Sequence, residues 1–251
     1  MEHAESSDYL FHFTKRYESI VSIMTEKFKP FFCVEDISFM VDEKRNITLA
    51  YPIVCFCDIP IERHTVHKIT YGDYGIGLSK EWGLKNNFSI VNYSFPASLK
   101  SSGFRLLVEY YLDNQNRFDD SFKQLFGNPL NILIMTSKPY EGLEFDKKTG
   151  KRTNKKVRFY NEREWRYLPL VDQLNWSLSL DDYNGDYNAF LDAFETEQLK
   201  IQTKYKLEFK VDDIKIIYLK TEIEKNQLLE EISAQYTESE LIKIESIISI
   251  N

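Results

Sequence analysis

Residues 156–170, KVRFYNEREWRYLPL, combine the character of a buried strand with an unusually polar centre. Aromatic and other β-forming residues dominate the segment and a proline lies near its end, which predicts an interior strand. Alternate side chains of a strand share a face, so Glu162, Glu164 and Arg166 are expected to point to one side. Such a row is costly to bury unless it is paired, so it is expected to border a cleft. The alternative is a solvent-facing ladder, in which the ion pair of Arg166 with Glu164 stabilises the fold by less than about 1 kcal/mol.

The composition is typical of a folded globular protein. The chain has 251 residues, of which 43% are hydrophobic and 15% aromatic, which is enough for a substantial core. Abundant Tyr and Phe with few Gly favour a mixture of helices and strands. We expect one α+β domain over residues 1–251, with mixed, largely antiparallel sheets and flanking helices. Helical or loop insertions are expected near residues 104–156 and 172–202.

Charge and cysteine content narrow the function classes. A formal net charge of −7 disfavours nucleic-acid binding. The basic cluster at residues 147–156 is expected to be an exposed loop, because most such clusters are simply solvated. No segment approaches the roughly 20 apolar residues that span a membrane, and the N-terminal residues do not have the pattern of a signal peptide. Three cysteines are too few for a disulfide framework, so we expect a cytoplasmic protein without a membrane partner.

The predicted elements place polar side chains near strand ends. Residues 8–14 predict an aromatic strand with His12 and Thr14 on one face, followed by a helix over residues 15–27. A histidine at a strand end commonly faces a ligand, although a hydrogen bond to the backbone in an apolar corner is the alternative. The other predictions are an irregular segment at 28–51, strands at 52–60, 69–78, 88–95, 207–211 and 214–219, a helical region at 104–126, a surface helical segment at 172–202, and a helix at 222–236.

Two cysteines and two histidines raise the question of a metal site: Cys55, Cys57, His64 and His67. The C-x-C spacing puts both sulfurs on one face of a strand, and it differs from the turn geometry of zinc-binding cysteine pairs. We therefore expect small buried thiols and no metal.

Four segments together resemble a known family: residues 12–14 (HFT), 54–60 (VCFCDIP), 71–83 (YGDYGIGLSKEWG) and 162–166 (EREWR). They are similar to the AbiGi family of bacterial abortive-infection proteins, over roughly residues 9–220. The resemblance implies a role in phage resistance within a two-gene system, as its antitoxin member. The partner that it implies is the cognate toxin or antitoxin protein.

A second resemblance is to the ADP-ribosyltransferase fold, whose members carry a His on an early strand, a Tyr on a following strand and a Glu on a late strand. His12, Tyr71 or Tyr74, and Glu164 occur in that order here. The resemblance implies NAD as substrate or ligand. It also implies that Glu164, with Glu162 beside it, is the catalytic carboxylate.

The same resemblance implies roles for the ligand-binding residues. His12 and Thr14 would hold the adenosine ribose and the nicotinamide amide, and Tyr74 would stack on the nicotinamide ring. Glu164 would hydrogen-bond the ribose 2′-hydroxyl and stabilise a cationic transition state. Arg166 belongs to the ligand-binding set and, on the same face as Glu164, is also placed to neutralise it.

Two functional hypotheses follow. In the first, a phage-defence protein binds or cleaves NAD in an ADP-ribosyltransferase-like cleft. In the second, a non-catalytic antitoxin uses the cleft or the acidic residues 172–202 to restrain a toxin. A Glu164→Gln substitution separates them, because an enzyme loses orders of magnitude in turnover and a binder does not. Nucleic-acid binding through residues 147–156 is disfavoured by the net charge.

Overall fold

The computed structural model describes residues 6–41, 45–169 and 178–250. Within these ranges the strands are β1 (Tyr9–Thr14), β2 (Phe31–Asp36), β3 (Thr48–Cys57), β4 (Tyr74–Ser79), β5 (Ser89–Ile90), β6 (Asn92–Ser94), β7 (Ser137–Pro139), β8 (Gly142–Asp146), β9 (Lys151–Val157), β10 (Glu164–Tyr167), β11 (Leu178–Ser179), β12 (Ile214–Leu219) and β13 (Ile248–Ile250). The helices are α1 (Tyr17–Glu26), α2 (His64–Tyr71), α3 (Lys80–Lys85), α4 (Leu99–Asn114), α5 (Asp120–Phe122), α6 (Asn128–Met135), α7 (Tyr187–Lys204), α8 (Glu222–Ile232) and α9 (Glu238–Ser246).

The main sheet has the strand order β13-β12-β4-β1-β3-β10-β5, and β2 and β11 also pair with β3. Its pairings are antiparallel except that of β12 with β13. Strand β3 joins two parts of the sheet because it is ten residues long. Its first six residues pair with β2, and its last four pair with β10. The prediction of a mixed, largely antiparallel α+β fold is therefore confirmed.

Strict alternation along β3 and β10 separates an apolar face from a polar face. Val54, Phe56 and Trp165 enter the main core, which α1, α3 and α8 cover with apolar side chains. Burial of each large apolar side chain contributes about 1.5–3 kcal/mol. Cys55 and Arg166 are paired in register and face the other way. The sheet therefore presents its polar row on the side away from this core.

Residues 28–51 were predicted to be irregular, but Phe31–Asp36 form β2 and residues 48–51 begin β3. Phe32 and Val34 alternate into a second core, where Phe190 and Ile201 of α7 cover them. The predicted helical segment is therefore confirmed over Tyr187–Lys204, where α7 packs one side on the sheet and leaves its other side exposed. Residues 172–177 of that predicted segment lie outside the described residues.

The helical region over 104–126 is confirmed, although it begins earlier, at Leu99. Helices α4 and α6 close over a small cluster that includes Ile37, Met40, Val108 and Ile134. The predicted basic loop is the β8–β9 hairpin, in which β8 and β9 pair antiparallel.

Two further strand predictions fail for local reasons. Residues 156–170 do not form one strand, because a 3₁₀ turn over Phe159–Glu162 separates β9 from β10. At residues 207–211 only a single bridge, between Phe28 and Leu207, replaces the predicted strand. None of the described helices is long and apolar enough to cross a bilayer.

Candidate functional site

A wide cleft of about 1420 Å³ is bordered by β1, β2, β3, β10 and the β8–β9 hairpin. Its lining includes ten Lys or Arg side chains and six Asp or Glu side chains. The cleft is thus basic although the whole chain has a net charge of −7. A positive lining in an acidic protein favours an anionic ligand at this place.

The chain enters β10 through Arg163, a left-handed residue with φ 43° and ψ 52°. A positive φ at a residue other than glycine is uncommon and often marks a functional position. The bend leaves Glu162 on the turn, so the predicted single row of Glu162, Glu164 and Arg166 on one strand is wrong. The two carboxylates nevertheless converge, since the ammonium of Lys138 lies 2.7 Å from an oxygen of each.

Arg166 is fully buried, and all three guanidinium nitrogens have partners. Its Nε donates to Glu164 Oε1 at 2.9 Å, and its Nη2 donates to Glu35 Oε1 at 2.6 Å. Its Nη1 donates to the Tyr51 hydroxyl at 2.9 Å and to the carbonyl of Met135. A buried arginine is tolerated only with such complete pairing.

The charges fix the protonation states of this network. Burial alone would raise the pKa of Glu164, but Arg166 and Lys138 outweigh burial and hold that pKa well below its ordinary value. Burial likewise opposes the charge on Lys138, yet Glu164, Glu162 and Glu35 raise its pKa well above the ordinary value. Glu164 is therefore a fixed anion on the cleft floor and is poorly suited to act as a general base.

His12 stands where the sheet opens between β1 and β3. One residue pair, Phe11 with Cys57, joins these strands, and His12 Nδ1 lies 2.8 Å from the Cys55 carbonyl oxygen. That contact makes Nδ1–H the donor in neutral His12. Burial lowers the pKa of His12, so the ring is held neutral. The Cys55 side chain also helps to lower the pKa of Glu164, so Cys55 is linked both to the histidine and to the carboxylate.

The structure does not bring Thr14 and Tyr74 to the cleft. They lie opposite each other in the β1–β4 pairing, and the Tyr74 hydroxyl donates to Glu224 of α8 at 2.7 Å. Tyr71 does line the cleft, where its hydroxyl donates to Glu162 Oε1 at 2.7 Å. Tyr71 ends α2 and is not on a strand, because the chain turns at Gly72 before β4 begins.

Three network members were missed in the sequence: Glu35, Tyr51 and Lys138. The alternation of Phe32 and Val34 with Cys33 and Glu35 was the available signal for a strand with a polar face. Lys138 offered no signal, because it follows an apolar helix and reaches the carboxylates only through the fold. Its partner carboxylates are 24 and 26 positions later in the chain.

Three arginines in the lining, Arg63, Arg105 and Arg163, make no ion pair with any carboxylate in the described part of the chain. The Arg105 Nε is buried without a hydrogen-bond partner among the described residues. Other basic side chains at the rim are offset, as Lys155 is by Glu144 and Arg152 by Asp36. Unpaired guanidinium groups are well suited to bind phosphate oxygens in bidentate fashion.

Comparisons with known proteins give a consistent result. A family model described as "abortive phage resistance protein AbiGi, antitoxin" matches residues 26–220. The chain is also 28% identical over 216 residues to the abortive phage resistance protein AbiGi of Lactococcus lactis subsp. cremoris. The aligned region covers 80% of this chain and 86% of that protein. No solved structure matches the chain.

Proposed function

The chain belongs to the AbiGi family of abortive phage resistance proteins, and on that premise we propose that it acts in phage resistance by binding NAD in the cleft. The observation that carries this proposal is the combination of an ionised Glu164 on the cleft floor with unpaired arginines in the lining. NAD offers a matching arrangement, since a diphosphate lies between two riboses and one ribose carries the cationic nicotinamide ring.

Individual residues supply complementary contacts in this proposal. Arg163 and Arg63 bind the diphosphate, and Glu164 accepts a hydrogen bond from a ribose hydroxyl. His12, which borders the same cleft, lies near the adenosine ribose. Thr14 and Tyr74 take no part, because neither lines the cleft. The ADP-ribosyltransferase-like architecture remains part of the proposal, supported by the opening between β1 and β3 beside the late-strand glutamate.

We expect binding without turnover in the isolated chain. A carboxylate stabilises a cationic transition state only if its negative charge is not already neutralised. The charge of Glu164 is neutralised by Arg166 at 2.9 Å and Lys138 at 2.7 Å. Cleavage would require these cations to be displaced.

Calorimetry with purified protein and NAD tests the proposal, together with an assay for nicotinamide release. Arg163→Asn removes the cation but keeps a residue that tolerates the left-handed conformation. We expect affinity to fall about fivefold to tenfold, or about 1–1.4 kcal/mol. Arg117→Gln is the matched control, because Arg117 is exposed in the 3₁₀ turn that follows α4 and does not line the cleft. Absence of binding heat with the wild-type protein at two well-separated temperatures would refute NAD binding, and nicotinamide release abolished by Glu164→Gln would establish an enzyme.

A second candidate function is restraint of a partner toxin, which is the role that the family description gives as antitoxin. The exposed apolar face of α4 favours it. Leu99 is 93% exposed and Leu106 is 68% exposed, and Tyr110 continues the same helical stripe. Large exposed apolar patches commonly mark protein interfaces.

Co-expression with the toxin of the same two-gene system tests this function. Replacing Leu106 and Tyr110 together with Glu should abolish co-purification and release toxicity, whereas Lys215→Glu on β12 should change neither. Unchanged co-purification of the double variant would exclude this face as the toxin interface.

A further inference from the structure

Two nucleophilic side chains outside the Arg166 network meet at the cleft wall. Lys147, in the turn of the β8–β9 hairpin, donates from Nζ to Cys33 Sγ of β2 at 2.7 Å. Both residues line the cleft, and they are 114 positions apart in the chain. This contact therefore joins the hairpin to the sheet.

Cys33 differs from the other two cysteines. Burial raises the pKa of Cys55 and of Cys57, which keeps both as unreactive thiols. Cys33 and Cys55 are both partly exposed, but the sulfur of Cys33 faces an ammonium group. A neighbouring cation stabilises the thiolate, which is the form that reacts with oxidants.

We propose that Cys33 and Lys147 form an oxidant-dependent covalent latch, a sulfenamide bond between Sγ and Nζ, with hydrogen peroxide as the oxidant. The Cys33 thiolate attacks the peroxide, so that an S–O bond forms, the O–O bond breaks and hydroxide leaves as water after it takes a proton. The Lys147 amine then attacks the sulfur of the sulfenic acid, forming the S–N bond and breaking the S–O bond. This second step releases one water, because an N–H proton of the attacking amine leaves with the hydroxyl of the sulfenic acid.

The first step prepares the second. The electrostatic interaction with Cys33 is the main cause that raises the pKa of Lys147 above its ordinary value. A sulfenic acid is neutral, so its formation removes that cause and favours the free amine. The nucleophile thus becomes available next to the sulfur that it attacks.

The latch would fix the hairpin over the cleft. At present the hairpin is held by non-covalent contacts, which include the ion pair of Arg152 with Asp36 and the bond from the Tyr187 hydroxyl to the Lys147 carbonyl at 2.7 Å. A covalent bond beside these contacts restricts hairpin opening and so controls access to the cleft.

Intact-mass spectrometry of the full chain after treatment with a small excess of hydrogen peroxide tests the proposal. We expect the wild-type mass to fall by two hydrogens, peptide mapping to join the Cys33 and Lys147 peptides, and dithiothreitol to reverse the change. Lys147→Arg keeps the charge but supplies a poor nucleophile, so it should stop at a sulfenic acid that dimedone traps at Cys33. Cys33→Ser should give neither product, and Cys57→Ser should form the cross-link as the wild type does.

Three results would overturn the latch. These are a wild-type protein that gains oxygen at Cys33 without losing two hydrogens, a cross-link that persists in Lys147→Arg, and oxidation that occurs first at Cys55 or Cys57.

Discussion

At the scale of single residues, Arg166 determines the character of the site. It is fully buried between the carboxylates of Glu35 and Glu164, and together with Lys138 its charge outweighs burial and holds Glu164 as an anion in the folded protein. Such a group makes little net contribution to stability while paired, but removing one partner leaves uncompensated charge in a buried place. The neutral His12 beside Cys55 is the second residue whose state is imposed by its surroundings.

Substitution of Arg166 with Met should destabilise the protein by about 3–5 kcal/mol, because Glu164 and Glu35 lose their buried partner. The free energy of unfolding from urea titration measures this loss. Lys155→Met is the control, since the exposed pair of Lys155 with Glu144 is worth less than about 1 kcal/mol. Equal effects of the two substitutions would contradict the description of the network.

The pH dependence of stability should carry a contribution from His12. Its pKa is lower in the folded than in the unfolded protein, where it is about 6.5. The unfolded chain therefore binds more protons as pH falls below that value, and the free energy of unfolding decreases by at most about 1.4 kcal/mol per pH unit. Urea titrations at a series of pH values between 7 and 5 should show a smaller slope for His12→Gln than for the wild type. Identical slopes would show that His12 is charged in the folded protein.

At the scale of elements, periodicity predicted those parts of the fold that packing reinforces. Strand β1, helix α1 and strand β12 follow from alternation or from an apolar helical stripe. Strand β2 was missed because its alternating run is only six residues long. The bend at Arg163 was missed because φ > 0 at an arginine has no sequence signal.

In the site, contacts that are local in the sequence could be predicted, whereas contacts between distant segments could not. Glu164 and Arg166 lie two positions apart on one strand, so their proximity is local and could be predicted. Lys138 and Glu35 approach them only through the pairing of distant segments. Long-range contacts of this kind are not encoded in any local pattern. The sequence alone therefore predicted the Glu164 carboxylate but not its neighbours Lys138 and Glu35.

Two glycines, one at the end of a helix and one inside a helix, provide a matched test of backbone constraint. Gly72 joins α2 to β4 with φ 115°, and a Cβ there would lie 2.1 Å from the carbonyl oxygen of Thr14. Gly72→Ala should therefore cost more than about 2 kcal/mol in the free energy of unfolding. Gly103 lies within α4 with open space around it, so Gly103→Ala should stabilise by about 0.5–1 kcal/mol. Thermal unfolding of the two variants should shift in opposite directions.

At the scale of the whole molecule, β3 connects the clusters. Its residues contribute to the main core, to the α7 cluster and to the group around Tyr51. A strand that is shared by separate clusters favours cooperative unfolding, as the prediction of a single domain implies.

Urea unfolding should therefore be one transition. Trp82 and Trp165 lie in the main core and report on it by fluorescence, whereas far-ultraviolet circular dichroism reports on all helices, including α7. We expect the two curves to share one midpoint. A separate, earlier loss of helical signal would mean that α7 and β2 unfold as a unit of their own.

The floor of the cleft holds three carboxylates, from Glu35, Glu162 and Glu164, but only two cations, from Arg166 and Lys138. One negative charge therefore has no counterpart within this group. A nicotinamide ring is positively charged in NAD and uncharged in NADH, so under the proposed function the floor discriminates between the two forms. Competition calorimetry should show that NAD binds more tightly than NADH. Glu162→Gln should reduce this difference in affinity.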